Sequence, residues 1–241
     1  MFDTLIYQQR RARLLAQITE GLIFLPGNQL SCMNYPANTY HFRQDSNFLY
    51  YAGLDVPGMA VILDADTGKS YLFGRELSME DIVWEGNQPS LPEHAARAGL
   101  DEALPVAQLA PMLGKAMQTG RSLHYCPVYR PENLIWFQEL LGIPLKAVNR
   151  RTSTALIRAI VAQRSVKQPE EIPELHKALN TTRQMHLAVM QQARAGMTEA
   201  RLAGTAHGIA VGEGGELAYP IILTVNGQTL HNHYHGNTLR S

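Results

Sequence analysis

The sequence predicts an α/β domain over residues 1–160 and a second, mostly helical segment over residues 161–241. In the first part, short apolar runs bounded by glycine, proline or aspartate alternate with stretches of helical periodicity, which is typical of α/β folds. Beyond residue 160 the pattern changes to long helical stretches with capping signals at their ends. The 241 residues are enough to bury an apolar core.

The first part can be divided element by element. It opens with an amphipathic helix, in which one side carries Leu5, Leu14, Leu15 and Ile18, and Arg10, Arg11 and Arg13 lie elsewhere. The run GLIFLPG indicates a buried strand, and GMAVILDADTGKSYLFG predicts two strands joined at the turn DADTGK. Helices are predicted at LPEHAARAGL, VAQLAPMLGKAMQ and PENLIWFQELLG, with SLHYCPV as a strand-like run among them.

The change of pattern starts with a helix predicted at TSTALIRAIVAQR, and the boundary between the two parts is placed near residue 160. A long helix is predicted from Pro169 to Gly196, because proline and two glutamates favour a helix start and glycine favours a helix end. A further helix is entered through Thr198 and Glu199 and ends at a glycine cluster. The stretch AYPIILTVNGQTLHNHYHGN then predicts a strand, a turn at Asn226–Gly227 and a second strand.

Composition excludes several classes of partner. Lys+Arg and Asp+Glu balance at 21 each, so there is no electrostatic reason to expect nucleic acid or an anionic membrane. Cys32 and Cys126 fit no metal-binding spacing and are predicted to be reduced thiols. No apolar run approaches the ~20 residues of a membrane span, and the first residues lack a leader pattern. We therefore expect a cytoplasmic protein.

His231, His233 and His235 alternate near the end of the sequence. On a strand they share one face, and imidazoles are good ligands for zinc, copper or nickel. Same-face neighbours lie about 6.6 Å apart along a strand, so one ion reaches at most two of them easily. The alternative is the polar face of a half-exposed strand. The spacing leaves open that face and a functional role for at least one histidine, and it disfavours a centre with three histidine ligands. Scattered histidines such as His94 are predicted to be hydrogen-bonded surface or boundary residues.

Three stretches resemble, in order, segments of the Xaa-Pro aminopeptidases (aminopeptidase P), which belong to the creatinase/prolidase-like metallopeptidases. They are YPANTYHFRQDSNFLYYAGLDVPGMAVIL, FGRELSMEDIVWEGNQPSLPEHAARAGLDEALP and IRAIVAQRSVKQPEEIPELHKA. The resemblance implies a creatinase-like N-terminal α/β domain over residues 1–160. It also implies that residues 161–241 are the beginning of an incomplete pita-bread (α+β) catalytic domain.

The resemblance also implies a reaction and its partners. Members of the family remove the first residue from peptides whose second residue is proline, using two metal ions, usually Mn²⁺, held by two Asp, one His and two Glu. The family pattern places all five ligands after Ser241, so no metal ligand is expected in this chain, which as given is expected to be inactive. The implied partners are proline-containing peptides and further copies of the chain in a dimer or tetramer.

Two residues of the substrate site can be carried over by the resemblance. Counting back from Arg240 identifies His231 with a family histidine that contacts the substrate, so His231 is the expected catalytic residue and His233 and His235 its neighbours. Trp84 matches a tryptophan that one subunit extends toward the substrate pocket of another; a core tryptophan is the alternative. Two other functions stay open: a non-catalytic oligomerisation or binding domain, and a related prolidase or creatinase.

Overall fold

The computed structural model describes residues 1–228 and 233–240. The chain divides into two units, Met1–Val166 and Lys167–Ser241. The predicted boundary after residue 160 falls inside the helix Thr154–Ser165. This helix belongs to the first unit because Leu156 and Ile160 are buried in its core.

The first unit is built from helices and strands that alternate along the chain. Its helices are α1 (Thr4–Leu15), α2 (Ser46–Ala52), α3 (Met79–Glu85), α4 (Leu91–Ala98), α5 (Leu109–Gln118), α6 (Pro131–Leu141), α7 (Leu145–Val148) and α8 (Thr154–Ser165). Its strands are β1 (Leu22–Pro26), β2 (Cys32–Tyr35), β3 (Asn38–Thr39), β4 (Ala60–Asp64), β5 (Ser70–Gly74), β6 (Glu102–Pro105) and β7 (Leu123–His124).

A mixed five-stranded sheet forms the middle of this unit, with the strand order β6-β5-β4-β1-β7. The pairs β1–β4 and β4–β5 are antiparallel, whereas β1–β7 and β5–β6 are parallel. The predicted β4–β5 hairpin is confirmed. Asp64 forms its turn, because one carboxylate oxygen accepts hydrogen bonds from the backbone N–H groups of Asp66 and Thr67.

Helices cover both faces of the sheet. Along β1, Ile23 and Leu25 face one core, which is shared with α1, α2, α4 and α8. Leu22 and Phe24 face the other core, which is shared with α5, α6 and α7. Because both faces are covered, β1 carries a continuous apolar run rather than alternating apolar and polar residues. The α/β class predicted from the sequence is confirmed as a three-layer arrangement.

Helix α1 forms as predicted, but Leu5 of the predicted apolar side is exposed and two of its arginines are buried. Arg10 and Arg11 are 1% and 4% exposed. The guanidinium of Arg10 donates to the carbonyl oxygen of Tyr50 and stacks on the Tyr50 ring at 4.0 Å. Arg11 donates to the carbonyl oxygens of Tyr51 and Ala98, so α1 is tied to the C-terminal ends of α2 and α4. The helical pattern places side chains on faces but does not reveal these backbone partners.

The second unit contains helices α9 (Glu171–Gln192) and α10 (Glu199–Gly212), and both predicted helices are confirmed. The predicted hairpin around Asn226–Gly227 is not found in the described residues on either side of it. In the described part of residues 213–240, pairing of the strand type is limited to a bridge between Thr198 and Thr238. The backbone N–H groups of Val225 and Asn237 donate to the side chain of Glu199 instead of to a neighbouring strand. The N–H of Leu239 donates to the carbonyl oxygen of Met197, just before α10. No helix in the described part of the chain is long and apolar enough to cross a membrane.

Candidate functional site

The start of α10 holds the backbone of the segment that carries His235. The N–H of Glu199 donates to the carbonyl oxygen of Asn237 at 2.9 Å, and the N–H of Ala200 donates to that of His235 at 3.1 Å. In the opposite direction, the segment donates: the N–H of Leu239 binds the carbonyl oxygen of Met197 at 2.7 Å. The first N–H groups of a helix lack partners within the helix, so the segment supplies the acceptors they need.

Glu199 connects this segment to a second one. Its side chain is fully buried, and its carboxylate accepts hydrogen bonds from the N–H of Val225 at 2.7 Å and from the N–H of Asn237 at 3.2 Å. The Asn237 side-chain amide also donates to both carboxylate oxygens. Burial raises the pKa of Glu199, but the hydrogen bonds outweigh it and leave the pKa below its ordinary value. The ionised carboxylate therefore fixes Val225 and Asn237 beside α10.

His233 and His235 converge on one acceptor instead of forming a strand face. His233 Nδ1 lies 3.3 Å and His235 Nε2 lies 2.9 Å from the carbonyl oxygen of Ile221. A carbonyl oxygen only accepts hydrogen bonds, so each ring places an N–H on it. His233 is exposed and His235 is half-buried. His231, the predicted catalytic residue, lies outside the described residues.

Trp84 lies on α3, a short helix whose start is well defined. Ser78 caps the helix in a reciprocal capping box with Asp81, and Arg75 forms an ion pair with the Asp81 carboxylate at 2.6 Å. The Trp84 side chain is 81% exposed, so the alternative of a core tryptophan does not hold for this structure. Its helix also exposes two other large apolar side chains, Met79 and Val83.

His94 differs from the prediction for the scattered histidines. It lies on α4, is buried, and its Nδ1 has no hydrogen-bond partner among the described residues. Burial lowers the pKa of His94, and the nearby Arg97 lowers it further. The imidazole lies in the wall of an open groove of about 660 Å³ beside α3, which Asp55 and Ile82 also line.

The described residues do not present a centre for two metal ions. Among residues 1–228 and 233–240, no group of three or more His, Cys, Asp or Glu side chains is arranged to hold a metal ion. The buried carboxylate of Glu199 already accepts hydrogen bonds from amide donors. These side chains therefore do not fit a pair of ions held by two Asp, one His and two Glu.

Two features of this site had no clear signal in the sequence. Glu199 follows the capping residue Thr198, and an acidic residue there is expected to favour the helix dipole. The helix dipole alone explains a glutamate at this position, so the sequence gives no sign that Glu199 also binds Val225 and Asn237. The carbonyl of Ile221 was also missed, because a backbone acceptor leaves no trace in a residue pattern.

Comparison with known proteins identifies the first unit. Residues 7–125 match the family described as "Aminopeptidase P, N-terminal domain". A probable Xaa-Pro aminopeptidase of Metarhizium robertsii is 26% identical over 90% of this chain and 46% of its own length. The Xaa-Pro aminopeptidase of Escherichia coli is 26% identical over 83% of this chain and 47% of its own.

The solved structures agree in fold. Aminopeptidase P from Escherichia coli superposes with a TM-score of 0.81 and 23% identity, over 100% of this chain and 57% of that chain. The first unit is thus an α/β domain of the aminopeptidase P N-terminal type. Residues 7–125 thus match an aminopeptidase P N-terminal domain, and the chain is similar to the N-terminal portions of Xaa-Pro aminopeptidases. It spans about half the length of the curated relatives it matches.

Proposed function

We propose that this chain is the N-terminal portion of a Xaa-Pro aminopeptidase, which releases the first residue of peptides that have proline in the second position. The observation that carries the proposal is the match of residues 7–125 to the aminopeptidase P N-terminal domain. Relatives that are named Xaa-Pro aminopeptidases align beyond that domain, over 83–90% of the chain. A proline nitrogen carries no N–H and its ring is rigid, so cleavage before it requires a dedicated site.

In the proposed enzyme, His231 contacts the substrate close to the bond that is cleaved. A neutral imidazole can donate or accept a proton at neutral pH, which suits it to stabilise the intermediate of peptide hydrolysis. The start of α10 supports this role indirectly, because it fixes His235 and Asn237, which follow His231 in the sequence. Two Mn²⁺ ions would activate the water and polarise the carbonyl, bound by family residues that this sequence does not contain.

The proposed assembly is a homo-oligomer, a dimer or a tetramer, in the cytoplasm. The exposure of Trp84 on α3 supports it, because an aromatic side chain that projects from its own domain is available to line the substrate pocket of a neighbouring subunit. The free thiols of Cys32 and Cys126 suit a reducing compartment.

The first test reads the coding DNA past the codon for Ser241. A longer frame that encodes two Asp, one His and two Glu is expected. Its product should release the first residue of an Xaa-Pro peptide in the presence of Mn²⁺ and leave an Xaa-Ala peptide intact. A stop codon directly after Ser241 would refute the enzyme proposal for this chain and favour a non-catalytic binding domain.

Variants of the full-length enzyme encoded by that longer frame test the roles proposed for His231 and Trp84. His231→Ala should lower kcat/KM by about 10²–10⁴-fold, the usual contribution of a proton-transferring group, without changing Tm. Trp84→Ala should raise KM with a smaller effect on kcat, because a pocket wall contributes mainly to binding. The matched control is His176→Ala on α9, which changes an exposed histidine outside the segment. Equal activity of His231→Ala and the control would contradict the assigned role.

A further inference from the structure

Three donor atoms converge at the histidine segment of the second unit. They are Nδ1 of His233, Nε2 of His235 and the carbonyl oxygen of Ile221. We propose that these three atoms form a binding site for one divalent transition-metal ion, with Zn²⁺ and Ni²⁺ as the matching ions. The proposal does not depend on the proposed peptidase activity.

The distances from the two ring nitrogens to the carbonyl oxygen match those between neighbouring ligands of a metal ion. Zinc bonds to imidazole nitrogen and to oxygen are about 2.0–2.2 Å long. With bonds of about 2.05 Å, ligand atoms 2.9 Å apart subtend about 90° at the ion and ligand atoms 3.3 Å apart subtend about 107°. The first angle suits octahedral coordination and the second suits tetrahedral coordination, and in either case the rings must turn so that their lone pairs meet at the ion. An ion between the rings and the carbonyl would replace the two N–H···O contacts.

The donors are held in place before any ion binds. Glu199 fixes Asn237, two residues after His235, and Val225, four residues after Ile221. The N–H of Ala200 also holds the carbonyl of His235 at 3.1 Å. Because the segments on both sides of the site are anchored to α10, bringing the rings and the carbonyl together costs little additional conformational entropy.

The chemistry of the donors and their exposure favour an ion of the zinc and nickel class. Two imidazoles suit Zn²⁺, Ni²⁺ and Cu²⁺ better than Mg²⁺ or Ca²⁺, which prefer oxygen ligands. His233 is exposed and His235 is half-buried, so an ion can enter and water can fill its remaining positions. Binding requires deprotonated ring nitrogens, so the affinity should fall steeply at acidic pH.

The test is isothermal titration of the 241-residue chain, without a polyhistidine tag, with ZnCl₂ and with NiCl₂ at pH 7.5. Binding of one ion per chain is expected, and repetition at pH 5.5 should abolish it. His233→Ala and His235→Ala should each weaken binding at least tenfold, whereas His176→Ala should bind like the wild type. Failure to bind one ion, or wild-type affinity in both variants, would overturn the proposal.

A measurement on the wild-type chain keeps the test independent of folding in the variants. Ni²⁺ is paramagnetic, so a bound ion should broaden the imidazole NMR signals of His233 and His235 first. The imidazole signals of His176 and His207 should stay sharp at one equivalent. If the broadening is centred on His231 or on another histidine while His233 and His235 keep sharp signals, the assigned site is wrong.

Discussion

Arg11 is expected to be among the side chains on which the stability of the first unit depends most strongly. Its guanidinium donates to the carbonyl oxygens of Tyr51 at 2.7 Å, Ala98 at 2.8 Å and Gly99 at 2.5 Å. These carbonyls end α2 and α4, where a helix has no backbone donors of its own to offer. Burial lowers the pKa of Arg11 to about 10, and Asp101 partly offsets that effect, so the side chain is charged at neutral pH.

The proposed substitution is Arg11→Met, which keeps the length of the side chain and removes its donors. Each buried acceptor left without a partner costs about 1–3 kcal/mol. The carbonyls of Tyr51 and Ala98, with a smaller part from Gly99, whose oxygen also accepts from Gln8, therefore predict a loss of about 3–5 kcal/mol. For a unit of this size, each kcal/mol lowers Tm by about 2–4 °C. The expected fall in Tm is therefore about 6–20 °C.

Urea unfolding followed by circular dichroism measures how much free energy of unfolding Arg11→Met loses. The matched control is Arg13→Met on the same helix, because Arg13 is exposed and its replacement should change the free energy of unfolding by less than about 0.5 kcal/mol. If Arg11→Met costs no more than Arg13→Met, the guanidinium does not serve as a shared cap for α2 and α4.

Two further predictions concern the same unit. Because the pKa of His94 is lowered in the folded state, stability should be full above its ordinary value of 6.5 and should decline as the pH falls below it. Urea midpoints between pH 5 and pH 8 should show this slope, and His94→Gln should flatten it; an unchanged slope would assign the effect to other groups. Gly53→Ala should cost more than about 2 kcal/mol, because the φ of Gly53 is +66° and an added Cβ would lie 2.1 Å from the Tyr7 ring. Gly68→Ala is its control, with a φ of +76° and open space around it, and equal thermal shifts for the two variants would contradict the steric argument.

The sequence predicted the parts of the fold that depend on local patterns. The apolar runs of β1 and β4, the turn between β4 and β5 and the capped helices α9 and α10 all follow from residue type and spacing. Helix α2 was missed because seven residues are too few to show a helical period. The start of this helix is set by the Asp45 cap, and its end is set by Gly53, which adopts the left-handed conformation.

The candidate site was harder to predict because its contacts are distant in the sequence. The alternation of His233 and His235 indicated a strand, and on a strand the two rings would lie side by side without a shared partner. In the structure, the pairing of the two segments depends on the buried carboxylate of Glu199, which satisfies the N–H groups that a neighbouring strand would otherwise bind. A single buried acceptor thus changed the local backbone, and with it the direction of the histidine rings.

The two units differ in how they bury apolar surface, and this difference supports the proposed place of the chain in a larger enzyme. In the first unit, both faces of the sheet are covered by its own helices. Helix α9 of the second unit has no buried residue, although Ile172, Leu175 and Leu179 recur at helical spacing on one face. An apolar helical face of this length is stable in water when other elements cover it. This chain matches about half the length of its relatives, which leaves room for such cover in a longer chain.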